Sequence, residues 1–472
     1  MPFPFTLPTT SALPFSDFAQ SSTHPSLPQT ASTYRAVLRS VLKKHKHLAS
    51  QSRASNLSTV LAALNDYVPY LLVLDAGLCG RSVGGEEIDV VLKKEIDVEW
   101  RTTLTATVNG REIPRVKGRG LDYEISFALQ TLACVYTLQA RGQLLALYGS
   151  ITPTDEQRIA IVTTATKQLL QANSIHNFLA SRSAEIDASS AVLETLSRTQ
   201  GGLAKLALAE ATLLAVLKDD PYPAVVAQAR NRNDKDWMVK PPEIPKVRAH
   251  LFARLCLAAV EHAGIAEAML NASGRIDEAL TRYVFDLKST SRAKACRFFG
   301  IDADLGGETG LGIAWLIGGK MQLGFAGSKE EGSKMKGLAK FKKDWTERRE
   351  DKKIEKGGKW GSDAGRLEEL RVIEMLEQKW NKMNDTINTQ LIPLSDPLVA
   401  NMPLGRNIHS TKPFVPPSLG EDILAHMRAP PDVGEMGDDD SSSSDEDGKA
   451  QRDLPGAFPG SSMDQANENS YY

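Results

Sequence analysis

The residue types able to do chemistry in this 472-residue chain are eight histidines, four cysteines and one glycine-rich stretch, and their spacing decides what they offer. His24, His45, His47, His176, His250, His262, His409 and His426 contain no H-E-x-x-H pair, and Cys79, Cys134, Cys256 and Cys296 contain no C-x-x-C. Neither set has the spacing of a metal site. His45 and His47 lie in KKHKHL, which reads as the basic end of a helix rather than as a ligand pair. No serine stands in a G-x-S-x-G elbow. Gly306 to Lys320, GGETGLGIAWLIGGK, invites comparison with a phosphate-binding loop. It fails, because Ala314 occupies the place of the first glycine and Met321 replaces the hydroxyl that would hold magnesium. Those glycines read instead as close helix packing, or as a loop before a helix over 308–324. With no nucleophile, base and orienting group in one pattern, the expectation is no catalysis, no metal and no cofactor.

The elements that would position any site are mostly helical. In LDYEISFALQTLACVYTLQAR, Leu121 to Arg141, the residues Leu121, Ile125, Leu129, Leu132 and Tyr136 recur at helical spacing, so one face must be buried. Before it the period changes to two: Ile96, Val98, Trp100, Leu104 and Val108 alternate with polar residues, predicting a half-buried strand. Asn109-Gly110 then suits a tight hairpin turn. Helical patterns fall near 32–48, 55–78, 121–148, 153–182, 188–218, 222–232, 243–271, 275–288, 308–324 and 363–390, with Thr154 as the N-cap of the fourth. No self-similarity at a fixed period appears, although stacked helix pairs would give a solenoid-like core.

Composition bounds the class. Apolar residues are 42%, charged residues 24%, and the net charge is −2, which gives no global argument for nucleic acid or membrane. No uninterrupted apolar run approaches the ~20 residues of a bilayer span, and no signal peptide is evident. The scattered cysteines suit reduced core thiols. A soluble, intracellular protein is expected. From Lys329 to Lys359 there are twelve basic and seven acidic residues, with Lys336, Lys340, Lys342 and Lys343 densest. The interspersed acids favour a solvated helical insert (about 329–360) over contact with acidic lipid, which remains the second reading. Residues 432–447 hold eight acids and no base, so 428–472 is expected to be a disordered acidic, serine-rich tail.

Four patches then carry a family resemblance. Val98-Glu99-Trp100 followed by Leu121-Asp122-Tyr123-Glu124, the LALAEA of Leu206 to Ala211, the GLGIAWL of Gly310 to Leu316, and NDTINTQLIP from Asn384 to Pro393 with Pro403-Leu404-Gly405 beyond it resemble, in order, segments of the Bro domain family of ALIX-like proteins. The resemblance implies a mainly α fold: an elongated, boomerang-shaped, solenoid-like (TPR-like) helical domain over 1–425. Its small sheet would come from about 3–8 and 87–117 and its helical core from 121–424. Thr386 and Asn388 stand where the family has aromatics, which speaks against tyrosine-based regulation there.

The family's concave face receives the amphipathic C-terminal helix of the ESCRT-III core filament subunit. Carried over residue by residue, that implies a patch of Ile159, Thr163, Leu213, Val225, Ala229 and Leu376, with Leu213 in place of an aromatic and Thr163 in place of a rim charge. Such a patch would be shallower or less polar at its rim. The bland reading is that each simply packs in the core. Tyr222-Pro223-Ala224-Val225 is similar to the Tyr-Pro-x-Leu peptides that ALIX-like proteins read, yet Pro223 is placed as the first residue of a helix, which would hide it. Within the family the opening PFPFTLPTTSALPFSDF most resembles the fungal branch that acts in the response to ambient alkaline pH. That implies a non-enzymatic adaptor working with an arrestin-like protein and a calpain-like protease complex, cytoplasmic and recruited to plasma or endosomal membrane. The alternative is an ALIX-like sorting adaptor for cargo or a deubiquitinase; the expected lack of a Pro-rich arm or further helical pair after the domain counts against it.

Overall fold

The computed structural model describes residues 2–106, 113–147, 154–183, 192–223, 225, 246–325 and 360–430. One compact unit runs through Arg428, and the remaining segment forms a second unit. The acidic tail, the lysine-rich insert and Asn109-Gly110 lie outside the described residues.

The main helices are α1 (Leu27–His47), α2 (Ser50–Leu78), α3 (Leu121–Ala146), α4 (Asp155–Arg182), α5 (Ser197–Leu217), α6 (Lys246–Asn271), α7 (Glu278–Leu305), α8 (Thr309–Gln322) and α9 (Arg366–Met383). Two short helices follow, α10 (Ser395–Ala400) and α11 (Glu421–Met427). Each main helix packs on the next in sequence, from α1 against α2 through α8 against α9. Local chemistry sets many ends. Thr154 and Gln157 form a reciprocal capping box at the start of α4. Lys44 and Lys46 occupy the last turn of α1, where cations oppose the helix dipole. By length and composition α2 and α5 would cross a bilayer, but their most apolar windows are 56% and 72% buried within this fold.

Three expectations are corrected. The helix expected to end at 288 continues to Leu305. The polar run Ser289-Thr290-Ser291 hides its own continuation: Thr290 and Ser291 are buried, and Ser291 Oγ donates to the Leu287 carbonyl at 2.7 Å. The strand expected to reach Val108 stops early. Strand β3 (Asp97–Arg101) pairs antiparallel with β4 (Arg115–Arg119), and the pairing ends at Arg101 opposite Arg115. Beyond Arg101 the chain turns to other partners: Glu194 Oε1 accepts from the Thr103 and Leu104 amides at 2.7 and 3.0 Å, and Leu104 is buried between helices. Residues 3–8 are not an edge strand either. Pro4 and Pro8 lack ladder donors, so contact with β3 begins only where Arg101 N donates to Thr9 O and Ser11 N to Glu99 O. A separate two-residue ladder joins β1 (Ala19–Gln20) to β2 (Val91–Leu92).

A buried carboxylate locks the N-terminal half. Glu124 is fully buried and accepts from Arg35 Nε at 2.8 Å and Nη2 at 3.1 Å, Tyr67 Oη at 2.7 Å and Trp100 Nε1 at 2.6 Å. One side chain of α3 thereby fixes α1, α2 and β3. The glycine-rich stretch is helical, and its glycines serve packing: a Cβ on Gly312 would lie 3.0 Å from the Gly300 carbonyl and 3.3 Å from Trp380, and one on Gly318 2.7 Å from Val399.

Candidate partner-binding cleft

On α5 the residues Glu210, Leu213, Leu214 and Leu217 follow one another at helical spacing, and all four line a single cleft. Val216 contributes from the same helix, Asp220 from the loop after it, Pro223 from the helical turn that follows, Leu287 and Lys294 from α7, Ala364, Gly365 and Glu368 around the start of α9, and Pro2 from the N-terminal segment. The cavity holds about 50 Å³, room for a few waters or the end of one aliphatic side chain. Leu213 is half-buried at the seam of two apolar clusters, one built on α6, α7, α8 and α9 and the other on α5, α6 and α7.

Two buried networks frame the cleft. In the first, Arg297 has no solvent exposure and grips Asp220 (Nη2 to Oδ2, 2.7 Å) and Glu369 (Nε to Oε1, 2.6 Å), while Lys294 Nζ reaches Glu369 Oε2 at 2.6 Å. Burial alone would lower the Arg297 pKa, but Asp220 and Glu369 together hold it raised. Burial likewise works to raise Glu369, and Arg297 and Lys294 overcome it and lower it. This cluster ties the loop after α5 to α7 and α9. Arg158, donating to the Lys218 and Asp220 carbonyls at 3.0 and 3.2 Å, ties the start of α4 to the same loop.

In the second, Glu210 Oε1 accepts both from Tyr283 Oη at 2.6 Å and from the Phe3 amide at 3.0 Å. Arg141 Nη1 donates to the Pro2 carbonyl at 2.8 Å and Nη2 to the Trp360 carbonyl. The Phe3 ring packs 5.2 Å from Tyr283 and 4.9 Å from Phe5. The N-terminal strap is therefore clamped on the cleft rim. Burial pushes the Glu210 carboxyl up to about 7, against the lowering effect of the Tyr283 hydrogen bond and of Arg141.

The expected patch residues divide. Leu213 lines the cleft. Ile159, 41% exposed, and Thr163, also exposed, lie on α4, the turn carrying Ile159 being the one that Arg158 holds against the end of α5. Val225 is buried, its amide donating to the Pro221 carbonyl. Leu376 is 3% exposed and packs with Val372, Ile373 and Trp380, so it belongs to the core beneath and offers no surface in this conformation. Ala229 and Lys336, Lys340, Lys342 and Lys343 lie outside the described residues. Tyr222 and Pro223 are buried at a helix start, which leaves no extended tyrosine–proline peptide to read. Sequence reading missed the cleft's Pro2, Asp220, Lys294 and Glu368, and Arg297 beneath it. A lone charge inside an apolar helical run, as with Glu210 in LALAEATLLAVL and Arg297 in ACRFFGI, was the available signal.

The cleft is lined by leucines, a valine and prolines, with Glu210, Asp220, Lys294 and Glu368 among them. Among the described residues no group of three or more His, Cys, Asp or Glu is placed to hold a metal. All four cysteines are free thiols, and burial pushes Cys134, Cys256 and Cys296 each up to about 12.

No family model matches the chain. The pH-response regulator protein palC of Emericella nidulans is 47% identical over 513 residues, covering 100% of both proteins. The protein of the same name from Cryptococcus neoformans is 33% identical over 148 residues, 30% of this chain and 28% of that protein. Among solved structures, ALIX in complex with the SIVmac239 PYKEVTEDL late domain matches with a TM-score of 0.55 at 14% identity, over 92% of this chain and 52% of the ALIX chain. This chain thus spans about half of ALIX, and at that identity the likeness is one of fold. The full-length identity settles kinship, and the helical stack around the cleft settles architecture: the chain belongs to the palC family of pH-response regulators, built on the Bro domain fold.

Proposed function

We propose that this protein is a non-enzymatic adaptor of the fungal ambient alkaline pH response, and that the Leu213 cleft receives one apolar anchor of an amphipathic helix. The partner proposed is the C-terminal helix of the ESCRT-III core filament subunit. Through it the protein would be recruited from the cytoplasm to plasma or endosomal membrane, together with the arrestin-like protein and the calpain-like protease complex of the pathway. The observation that carries the reading is Leu213 itself, a half-exposed leucine lining a preformed cleft at the end of α5. Helix-in-groove recognition uses this combination, apolar anchors entering a trough while rim charges such as Lys294 and Glu368 set register. The small volume suits one anchor.

The test is Leu213→Asp in the full chain, titrated with a fluorescent peptide of the filament subunit's C-terminal helix. An unpaired charge in an apolar trough costs several kcal/mol, so affinity should fall at least tenfold while the helical circular dichroism signal stays. Affinity within twofold of wild type would refute this placement of the site.

A further inference from the structure

Between α10 and α11 the chain crosses the surface of α6, α5 and α4 without regular secondary structure. It is nonetheless held at several points. Arg406 N donates to the Arg254 carbonyl at 3.0 Å, Gly405 N to Glu261 Oε1 at 2.9 Å, and His409 Nε2 lies 3.2 Å from the Ala211 carbonyl. Leu419 then enters the core. Within this pinned stretch stands Lys412-Pro413-Phe414-Val415-Pro416-Pro417. Each proline fixes its own φ, and Lys412, Val415 and Pro416, each preceding a proline, are driven toward extended or polyproline II backbone.

Burial along the stretch repeats every three residues, the period of a polyproline II helix. Phe414 and Pro417 are half-buried, whereas Lys412, Pro413, Val415, Pro416 and Ser418 are exposed, Val415 by 82%. The inner edge is anchored: the Phe414 ring packs 5.4 Å from the Phe178 ring of α4. The segment therefore rests on its Phe414/Pro417 edge and shows the other two edges, Lys412/Val415 and Pro413/Pro416, to solvent. Those edges form two consecutive residue–proline pairs, Lys412-Pro413 and Val415-Pro416.

We infer that residues 412–417 are a preformed docking ligand for an SH3-type domain, whose aromatic-lined groove takes the two outward residue–proline pairs. Presentation of the two prolines with the intervening Phe414 turned inward is the orientation a P-x-x-P ligand needs. Anchoring on both sides removes most of the ordering cost that a free peptide carries on binding. The exposed aliphatic Val415, unexplained by the fold, is accounted for as contact surface.

The experiment is biolayer interferometry of the full-length protein against the complete set of purified SH3 domains of the host genome, with purified WW domains alongside. At least one SH3 domain should bind, and Pro413→Ala/Pro416→Ala should weaken it at least tenfold without changing circular dichroism, because both prolines are exposed. Ser418→Ala should bind within twofold of wild type. Leu213→Asp should also leave it unchanged, which keeps this surface separate from the α5 cleft. Absence of binding to every SH3 domain, binding indifferent to the double substitution, or capture by WW domains alone would each overturn the inference.

Discussion

Glu210→Gln should make stability less dependent on pH, with a sign that can be worked out in advance. The Glu210 carboxyl ordinarily titrates near 4.5 and is pushed up to about 7 in the fold, chiefly by burial. Below pH 4.5 both the folded and unfolded chains hold the proton and the group contributes nothing unfavourable. As pH rises from 4.5 to 7 the unfolded chain ionises first, so stability falls; above 7 the loss is complete, about 3 kcal/mol from linkage. Glutamine keeps an oxygen to accept from Tyr283 Oη and the Phe3 amide but cannot titrate. The other polar groups around Glu210, Arg141 from α3 and Tyr283 from α7, remain in the variant, so their contributions cancel in the comparison. Urea unfolding of both proteins at pH 5, 7 and 9 measures the difference. The variant should gain about 2.5 kcal/mol relative to wild type between pH 5 and 9, and hydrogen exchange at the Phe3 amide should lose its pH-dependent excess over the chemical rate. A wild-type-to-variant gap that stays flat to within about 0.5 kcal/mol across that range would refute the reasoning.

Other expectations follow from single contacts. Glu124→Ala strands Arg35 in the core and should cost about 3–5 kcal/mol, seen as a lower urea midpoint, whereas the double variant Glu124→Met/Arg35→Met should be less harmful than the single. Equal losses would mean that the buried pair is not the source. A Cβ at Gly405 would lie 2.4 Å from the Ala258 nitrogen, so Gly405→Ala should lift the segment from Pro403 to Gly420 and speed its proteolysis with helix content unchanged; wild-type cleavage kinetics would contradict that close approach. In the native protein a thiol reagent should modify the exposed Cys79 quickly and the buried Cys134, Cys256 and Cys296 only upon unfolding. Rapid modification of all four would show that the core is open.

The elements and the family were legible in sequence because both rest on local or fold-critical residues. Apolar spacing marked α3, the Thr154 box marked α4, and KKHKHL marked the end of α1. Each patch behind the resemblance contains residues that the architecture needs: Trp100 and Glu124 share one buried hydrogen bond, Glu210 clamps the N-terminal strap, Gly312 lets α8 approach α7, and Asn384 closes the turn that receives Gln390. What sequence could not decide was which neighbour covers each apolar face. Periodicity reports that Leu376 and Leu213 lie on greasy stripes, but only packing makes the former core and leaves the latter on a rim. The continuation of α7 through Ser289-Thr290-Ser291 depended on burial of hydroxyls that bond their own helix. The cleft joins Pro2, Glu210, Lys294 and Glu368, groups separated by up to hundreds of residues, and the proline-rich edge at 413–417 became a surface only once Phe414 found Phe178. Local spacing encodes a side chain's direction from its own helix; the distant chain that meets it is set by the tertiary fold.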